Sequence, residues 1–264
     1  TVEGSKVYDG TSEAKITNAG TLSDNYDGEN LTIVAGSAAY DNKNVGTGKT
    51  VAFTGFALAG DAAANYKLIA QPTDTTADIT AKEIAINGAA VEASRIYNGT
   101  TDAKITNAGT PSVNYDGENL KVAAGKAAYD NKNVGKGKAV TFTGFALEGD
   151  AAANYKLTAQ PEAVTADITV KEIKIVDTAV EASKVYDGST DAKITEKGTF
   201  DGLINGDKVD IVTGKAAYDD KNVGNGKTVT FYEFALSGDD AANYVLAAQP
   251  ASTTASISAK ELTI

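Results

Sequence analysis

Apolar residues recur at every second position in short runs, and clusters of Gly, Asn and Asp separate the runs. Val51-Ala52-Phe53-Thr54 is the clearest run; Leu31-Thr32-Ile33 and Ala77-Asp78-Ile79-Thr80 share its period. A period of two marks a strand with one face buried. Tyr66-Lys67-Leu68-Ile69-Ala70 reads as a further strand, stopped by Gln71-Pro72. Ile84-Ala85-Ile86 follows Ile79 in the opposite phase, so the pattern predicts a bulge or a change of sheet at Lys82-Glu83. Asp9-Gly10, Asp27-Gly28 and Gly60-Asp61 are turn formers, and residues 41–48 have a loop composition. No segment carries a helical period. Asp61-Ala62-Ala63-Ala64-Asn65 is long enough for one helical turn at most. About six to eight short strands with regular turn signals predict a β-sandwich of immunoglobulin type. Asp61, Asn65, Tyr66 and Leu68 are spaced like a tyrosine corner, in which the ring enters the core and the hydroxyl ties a loop; a plain core aromatic is the alternative for Tyr66.

The whole pattern occurs three times. Tyr8, Tyr97 and Tyr186 are separated by 97 − 8 = 89 and 186 − 97 = 89 residues, and Tyr40, Tyr129 and Tyr218 keep the same step. A fixed step means one structural unit used repeatedly. The expected domains are 1–86, 87–175 and 176–264. Each is large enough for one two-layer core and small for a deep cleft, burying about 60 to 65% of its unfolded surface. The junctions Asn87-Gly88-Ala89 and Val176-Asp177-Thr178 are too short to swing freely. Each repeat is therefore expected to close its own core and to run stiffly into the next, giving an elongated rod on the order of 100 Å long. Thr1 is in phase with Ala90, and Ile264 with Ile86, as expected of a window from a longer array.

Composition narrows the chemistry. The chain has no Cys, His, Met or Trp. Thiol chemistry, soft-metal ligation and the side chain that titrates near neutrality are all absent, so no enzyme activity and no cofactor are expected. Lys and Arg number 24 against 35 Asp and Glu, a net charge of −11. Such a surface repels phosphate backbones and anionic lipid, so neither nucleic acid nor membrane insertion is expected of these residues.

Five recurring groups are candidates for chemistry. Gly46-Thr47-Gly48-Lys49-Thr50 resembles the end of a phosphate loop, but Lys43 stands where its first glycine belongs. Asp41-Asn42-Lys43-Asn44 is rich in oxygen ligands, yet Lys43 and Val45 interrupt a calcium spacing; side chains capping their own turn are the simpler reading. Glu92 and Asp177 are candidates for a calcium ion at a junction. Lys15, Asn65 and Asp61, with Lys104, Asn154 and Asp150 and with Lys193, Asn243 and Asp239, are candidates for an intramolecular isopeptide bond, which needs a buried neutral lysine beside a protonated acid. The alternative places the lysines outward on a strand and the asparagines at a turn. Tyr26 and Tyr115 sit in Asn-Tyr-Asp-Gly-Glu-Asn loops where an exposed ring would stack on sugar, although Ile204 replaces them in the third repeat. The structural residues expected to matter most are Tyr8, Tyr97 and Tyr186 with Tyr66, Tyr155 and Tyr244.

Lys6-Val7-Tyr8-Asp9-Gly10, Asn44-Val45-Gly46-x-Gly48-Lys49, Phe56-Ala57-Leu58-x-Gly60-Asp61, Ala64-Asn65-Tyr66-x-Leu68 and Ala77-Asp78-Ile79-Thr80-x-Lys82 together resemble the YDG repeat of large bacterial surface and secreted proteins, including filamentous-haemagglutinin-like adhesins. The second repeat departs with Arg95 and Tyr97-Asn98-Gly99. The resemblance implies a tandem extracellular β module. The expected role is that of stalk or spacer repeats, monomeric, whose partners are the neighbouring repeats of the same chain, projecting a distal binding region from the cell surface. The alternative is multivalent binding of host glycan or protein by the repeats themselves.

Overall fold

The computed structural model describes residues 1–26 and 28–264; Asp27, in the turn expected at Asp27-Gly28, lies outside them. The described residues form strands, with three single turns of 3-10 helix at Ala63–Asn65, Ala152–Asn154 and Ala241–Asn243. The first repeat contributes β1 (Ser5–Val7), β2 (Glu13–Ala14), β3 (Thr32–Val34), β4 (Ser37–Tyr40), β5 (Gly46–Thr54), β6 (Ala57–Ala59), β7 (Thr75–Thr80), β8 (Lys82–Ile84) and β9 (Ile86–Asn87). The all-β class read from the period-two pattern is the observed one.

Packing groups the chain into two compact units that cut across the 89-residue period. The first comprises Thr1–Ala90, Ile105–Lys126 and Phe142–Glu162. Its principal sheet has the order β1-β7-β5-β4-β2. β1 pairs parallel with β7, Lys6 opposite Ile79, and the other pairs are antiparallel. Alternation decides which side chains face inward: Ala38 and Tyr40, Val51 and Phe53, Ala77 and Ile79 are buried, and the residues between them are not. The glycines of the phosphate-loop lookalike belong to a bulge in β5. Gly48 has φ +60°, and its N–H donates to Asp78 Oδ1 at 2.8 Å.

The phase change at Lys82-Glu83 is a change of sheet. β7 ends in the principal sheet. β8 then pairs parallel with Tyr155–Leu157, and β9 pairs antiparallel with Thr110–Pro111, both in the second repeat. Ser112 N donates to Ala85 O at 2.8 Å between them. Ile84 and Ile86 are buried as a result. The core of this unit joins Tyr8, Val51, Phe53, Phe56 and Ile84 to Leu120, Ala151 and Tyr155. The expectation that each repeat closes its own core is therefore corrected: the first repeat's last strands complete a layer built from the second.

The second unit comprises Val91–Lys104, Ala127–Thr141 and Ala163–Ile264. Its sheet of Ser183–Val185, Thr253–Ser258, Gly224–Tyr232, Lys215–Tyr218 and Asp191–Ala192 repeats the order and registers of the first. Lys171–Val180 repeats the change of sheet, lying between Tyr244–Leu246, parallel, and Ile194–Asp201, antiparallel. The expected junction Val176-Asp177-Thr178 is thus inside one continuous strand, and Ile175 belongs to the core of the third repeat.

Candidate functional site

The side chains that recur at the 89-residue step converge where one repeat meets the next, once in each unit. In the first unit the centre is Glu118, on the loop after the Asn-Tyr-Asp-Gly run. Its side chain is 3% exposed. It accepts hydrogen bonds from the hydroxyls of Tyr8 and of Tyr155, the latter at 2.5 Å, and an ion pair from Lys43 Nζ at 2.7 Å. Tyr8 and Lys43 come from the first repeat; Glu118 and Tyr155 come from the second. Burial pushes the Glu118 carboxyl up, but the hydrogen bonds from Lys43, Tyr155 and Tyr8 outweigh it and hold it below its ordinary value. Burial, then the hydrogen bond to Glu118, pushes both tyrosine hydroxyls well up. The ring of Tyr8 meets that of Tyr155 edge-on at 5.4 Å and that of Tyr115 at 5.8 Å.

Asn154 closes the other side. It is buried, and its Oδ1 accepts from the backbone N–H of Val45 at 2.9 Å while its Nδ2 donates to Asn44 Oδ1 at 3.1 Å. A buried amide needs such partners, and here the preceding repeat supplies them.

The second unit holds the same constellation. Tyr97 Oη donates to Asp207 Oδ2 at 2.8 Å, and Tyr244 Oη to the same oxygen at 2.6 Å. Lys132 Nζ pairs with Asp207 Oδ1 at 2.6 Å, and Asn243 Oδ1 accepts from Val134 N at 2.9 Å. Asp replaces Glu and the cluster persists, because Lys132 also reaches Asp240 at 3.3 Å.

The Tyr-Asp-Gly motif now has a local account. Asp9 Oδ1 accepts from Thr11 N at 2.9 Å and from Lys6 Nζ at 2.9 Å, fixing the turn that presents Tyr8. Gly10 has φ +80°, and a Cβ there would stand 3.1 Å from the ring of Tyr115. The second repeat's departures compensate each other: Arg95 takes the place of Lys6 and donates to Asn98 and to Thr100 O, stacking 5.0 Å from the Tyr129 ring as Lys6 lies 5.5 Å from Tyr40.

The six structural tyrosines fall into two groups. Tyr8, Tyr97, Tyr155 and Tyr244 are buried; Tyr66 and Tyr186 are half-buried. Tyr66 still donates to Glu29, the counterpart of Glu118. The hydroxyl tie of these corners therefore runs to a loop 37 residues upstream in the chain, instead of the short tie of an immunoglobulin corner.

The other candidates sort as follows. Lys15, Lys104 and Lys193 are exposed and ion-paired to Glu3, Glu92 and Glu181 at 2.7, 2.6 and 2.6 Å. Hydrogen bonding to those glutamates holds each ammonium above its ordinary value, which opposes the neutral amine an isopeptide bond requires. Asn65 is exposed, Asn154 and Asn243 are buried in the cluster just described, and Asp61, Asp150 and Asp239 are exposed. Asp150 Oδ2 takes a hydrogen bond from Asn119 at 3.5 Å, and Asp239 pairs with Lys208 at 3.5 Å. Asp41 and Asn42 cap their own turn by accepting from the N–H groups of Asn42 and Asn44. Glu92 is paired to Lys104, and Asp177 accepts from Thr199; among the described residues no group of three acidic ligands is placed to hold a metal ion. Tyr115 is half-buried against Tyr8 and Tyr155, whereas Tyr26 is exposed. Glu118, Asp207, Lys43 and Lys132 escaped the sequence reading. The only signal for them was their recurrence at the common step.

The YDG domain family profile matches residues 1–77, 80–163 and 169–255, so the chain belongs to that family and carries three of its domains. No curated protein and no solved structure matches the chain.

Proposed function

We propose that this array of YDG domains is a non-enzymatic spacer of a bacterial surface or secreted protein of the filamentous-haemagglutinin-like adhesin type, carrying a distal binding region away from the cell. The observation that supports this is where the recurring polar side chains go. Tyr8, Lys43, Glu118, Asn154 and Tyr155 hold one repeat to the next, as Tyr97, Lys132, Asp207, Asn243 and Tyr244 do again. A cluster that recurs with the period and bridges repeats transmits load along a chain. A strand that begins in one repeat and ends in the sheet of the next does the same. The excess of acid keeps near-identical domains from mispairing.

Small-angle scattering of arrays with increasing repeat number tests the reading. The maximum dimension should grow by an equal step per repeat, and a glycan array probed with the same proteins should stay blank. A dimension that stops growing, or saturable binding of one glycan by a single repeat, rejects the spacer role. The second of these outcomes favours multivalent recognition by the repeats.

A further inference from the structure

The coupling described above has two halves, and each is present once without its complement among the described residues. The accepting half lies in the first repeat. Residues 66–68 are the counterparts of Tyr155–Leu157 and Tyr244–Leu246, yet they form no strand. Residues 21 and 22, the counterparts of Thr110–Pro111, form none either. Between these two segments runs a groove of about 330 Å³, lined by Leu22, Ile33, Phe56, Leu58, Leu68 and Pro72. In the second repeat the equivalent place is filled by Lys82–Ile84 and Ile86–Asn87. In the third it is filled by Lys171–Val180.

The donating half lies in the third repeat. Residues 260–264 read Lys-Glu-Leu-Thr-Ile, against Lys-Glu-Ile-Ala-Ile at 82–86 and Lys-Glu-Ile-Lys-Ile at 171–175. The isoleucines of the two inserted copies are buried: Ile84, Ile86, Ile173 and Ile175. Leu262 and Ile264 are instead exposed, at 86% and 131%. Val223 is 55% exposed, whereas its counterpart Val45 packs against a core.

We propose that the groove of the first repeat is a docking site for residues 260–264 of a second copy of this chain, so that copies join head to tail by strand insertion. The register follows from the two internal examples. Lys260 pairs parallel opposite Tyr66 and Leu262 opposite Leu68, as Lys82 stands opposite Tyr155 and Ile84 opposite Leu157. The N–H of Ile69 then donates to Leu262 O, as Thr158 N donates to Ile84 O at 3.1 Å and Ala247 N to Ile173 O at 3.0 Å. Ile264 reaches the Leu22 side, as Ile86 stands opposite Pro111. The same encounter brings Tyr186 and Lys221 to Glu29 and Tyr66, the counterparts of Tyr8, Lys43, Glu118 and Tyr155. Added-strand recognition supplies main-chain hydrogen bonds for affinity and pockets for alternate side chains for selectivity. A head-to-tail contact is heterologous, so it propagates instead of stopping at a dimer.

Sedimentation of the intact chain over a concentration series tests the proposal. Mass should rise with concentration beyond a dimer. Leu262→Asp changes a side chain that is exposed in the free chain, so it leaves folding intact. It should weaken association at least about tenfold, since it removes one large apolar side chain from the groove. Isotope-labelled chain with Leu262→Asp, mixed with unlabelled wild type, should show amide shifts confined to the groove, at residues 20–23 and 66–70. A chain that stays a monomer at millimolar concentration overturns the proposal. So does association that Leu262→Asp leaves unchanged, which would place the contact on another surface. These outcomes leave the spacer reading untouched, because that reading concerns repeats joined within one chain.

Discussion

Glu118 shows how one residue sets the strength of a repeat-to-repeat contact. It is buried, charged and reached by three donors from two different repeats. Replacing it with Gln keeps the size and removes the charge, leaving Lys43 and the tyrosine hydroxyls less well paired. The expected cost is about 1 to 3 kcal/mol in urea unfolding. Glu29→Gln should cost less, because its partner Tyr66 is only half-buried. The sign of the pH dependence follows from the same cluster. The folded Glu118 carboxyl is held below its ordinary 4.5, so its contribution is complete above that value and is lost as pH falls through the lower folded one. Tyr8 and Tyr155 are held above their ordinary 10.0, so their contribution is complete below 10.0 and is lost as pH rises toward the raised folded values. Unfolding midpoints measured from about pH 2 to 11 should form a plateau with both flanks. Glu118→Gln should flatten the acid flank; an unaltered acid flank assigns it to other carboxylates. At this scale the sequence was partly legible. Tyr8 and Tyr155 stood out as aromatics at a fixed step. Glu118 did not, because a lone Glu in a polar loop carries no mark of the hydroxyls that fold around it.

The element that decides the architecture is the strand after Lys82. Its opposite phase announced a change of sheet, and the alternation of Ile84 and Ile86 announced one buried face. Its partner strands were not legible, since pairing depends on which edges are brought close and not on local pattern. Residues 66–68 make the same point in reverse. They carry the strand pattern of Tyr155–Leu157, yet they stay irregular where no added strand supplies hydrogen bonds. Ile173→Ala should therefore cost about 2 to 5 kcal/mol, as for any buried aliphatic residue, while Leu262→Ala should cost close to nothing. Hydrogen exchange on the intact chain should show slow amides at 155–158 and fast ones at 66–69. Equal exchange at the two places would mean that the inserted strand does not protect its neighbour.

At the scale of the whole molecule, the sequence period and the packing unit are different objects. The period is 89 residues by either spacing of the Tyr-x-Gly motifs, but the first compact unit adds Ile105–Lys126 and Phe142–Glu162 to Thr1–Ala90. Stability should then behave as a sum of repeat and nearest-neighbour terms. Calorimetry of arrays with one, two and three repeats should show the midpoint rising with each addition, since every added repeat brings one more buried strand and one more carboxylate cluster. A midpoint independent of repeat number would mean that the repeats are thermodynamically separate.

The amino-acid order by itself determined the β class, the three-fold duplication, the position of the turns and the faces that would be buried. Those are local properties: a period of two, a Gly at a positive φ and a motif at constant spacing are all written in neighbouring residues. Tertiary structure alone decided that a repeat lends its last strands to its successor, and that Tyr, Lys, Asn and Glu from separate repeats meet around one buried charge. Those depend on contacts between residues about 75 to 110 positions apart, and no local pattern records which distant edge a strand will find.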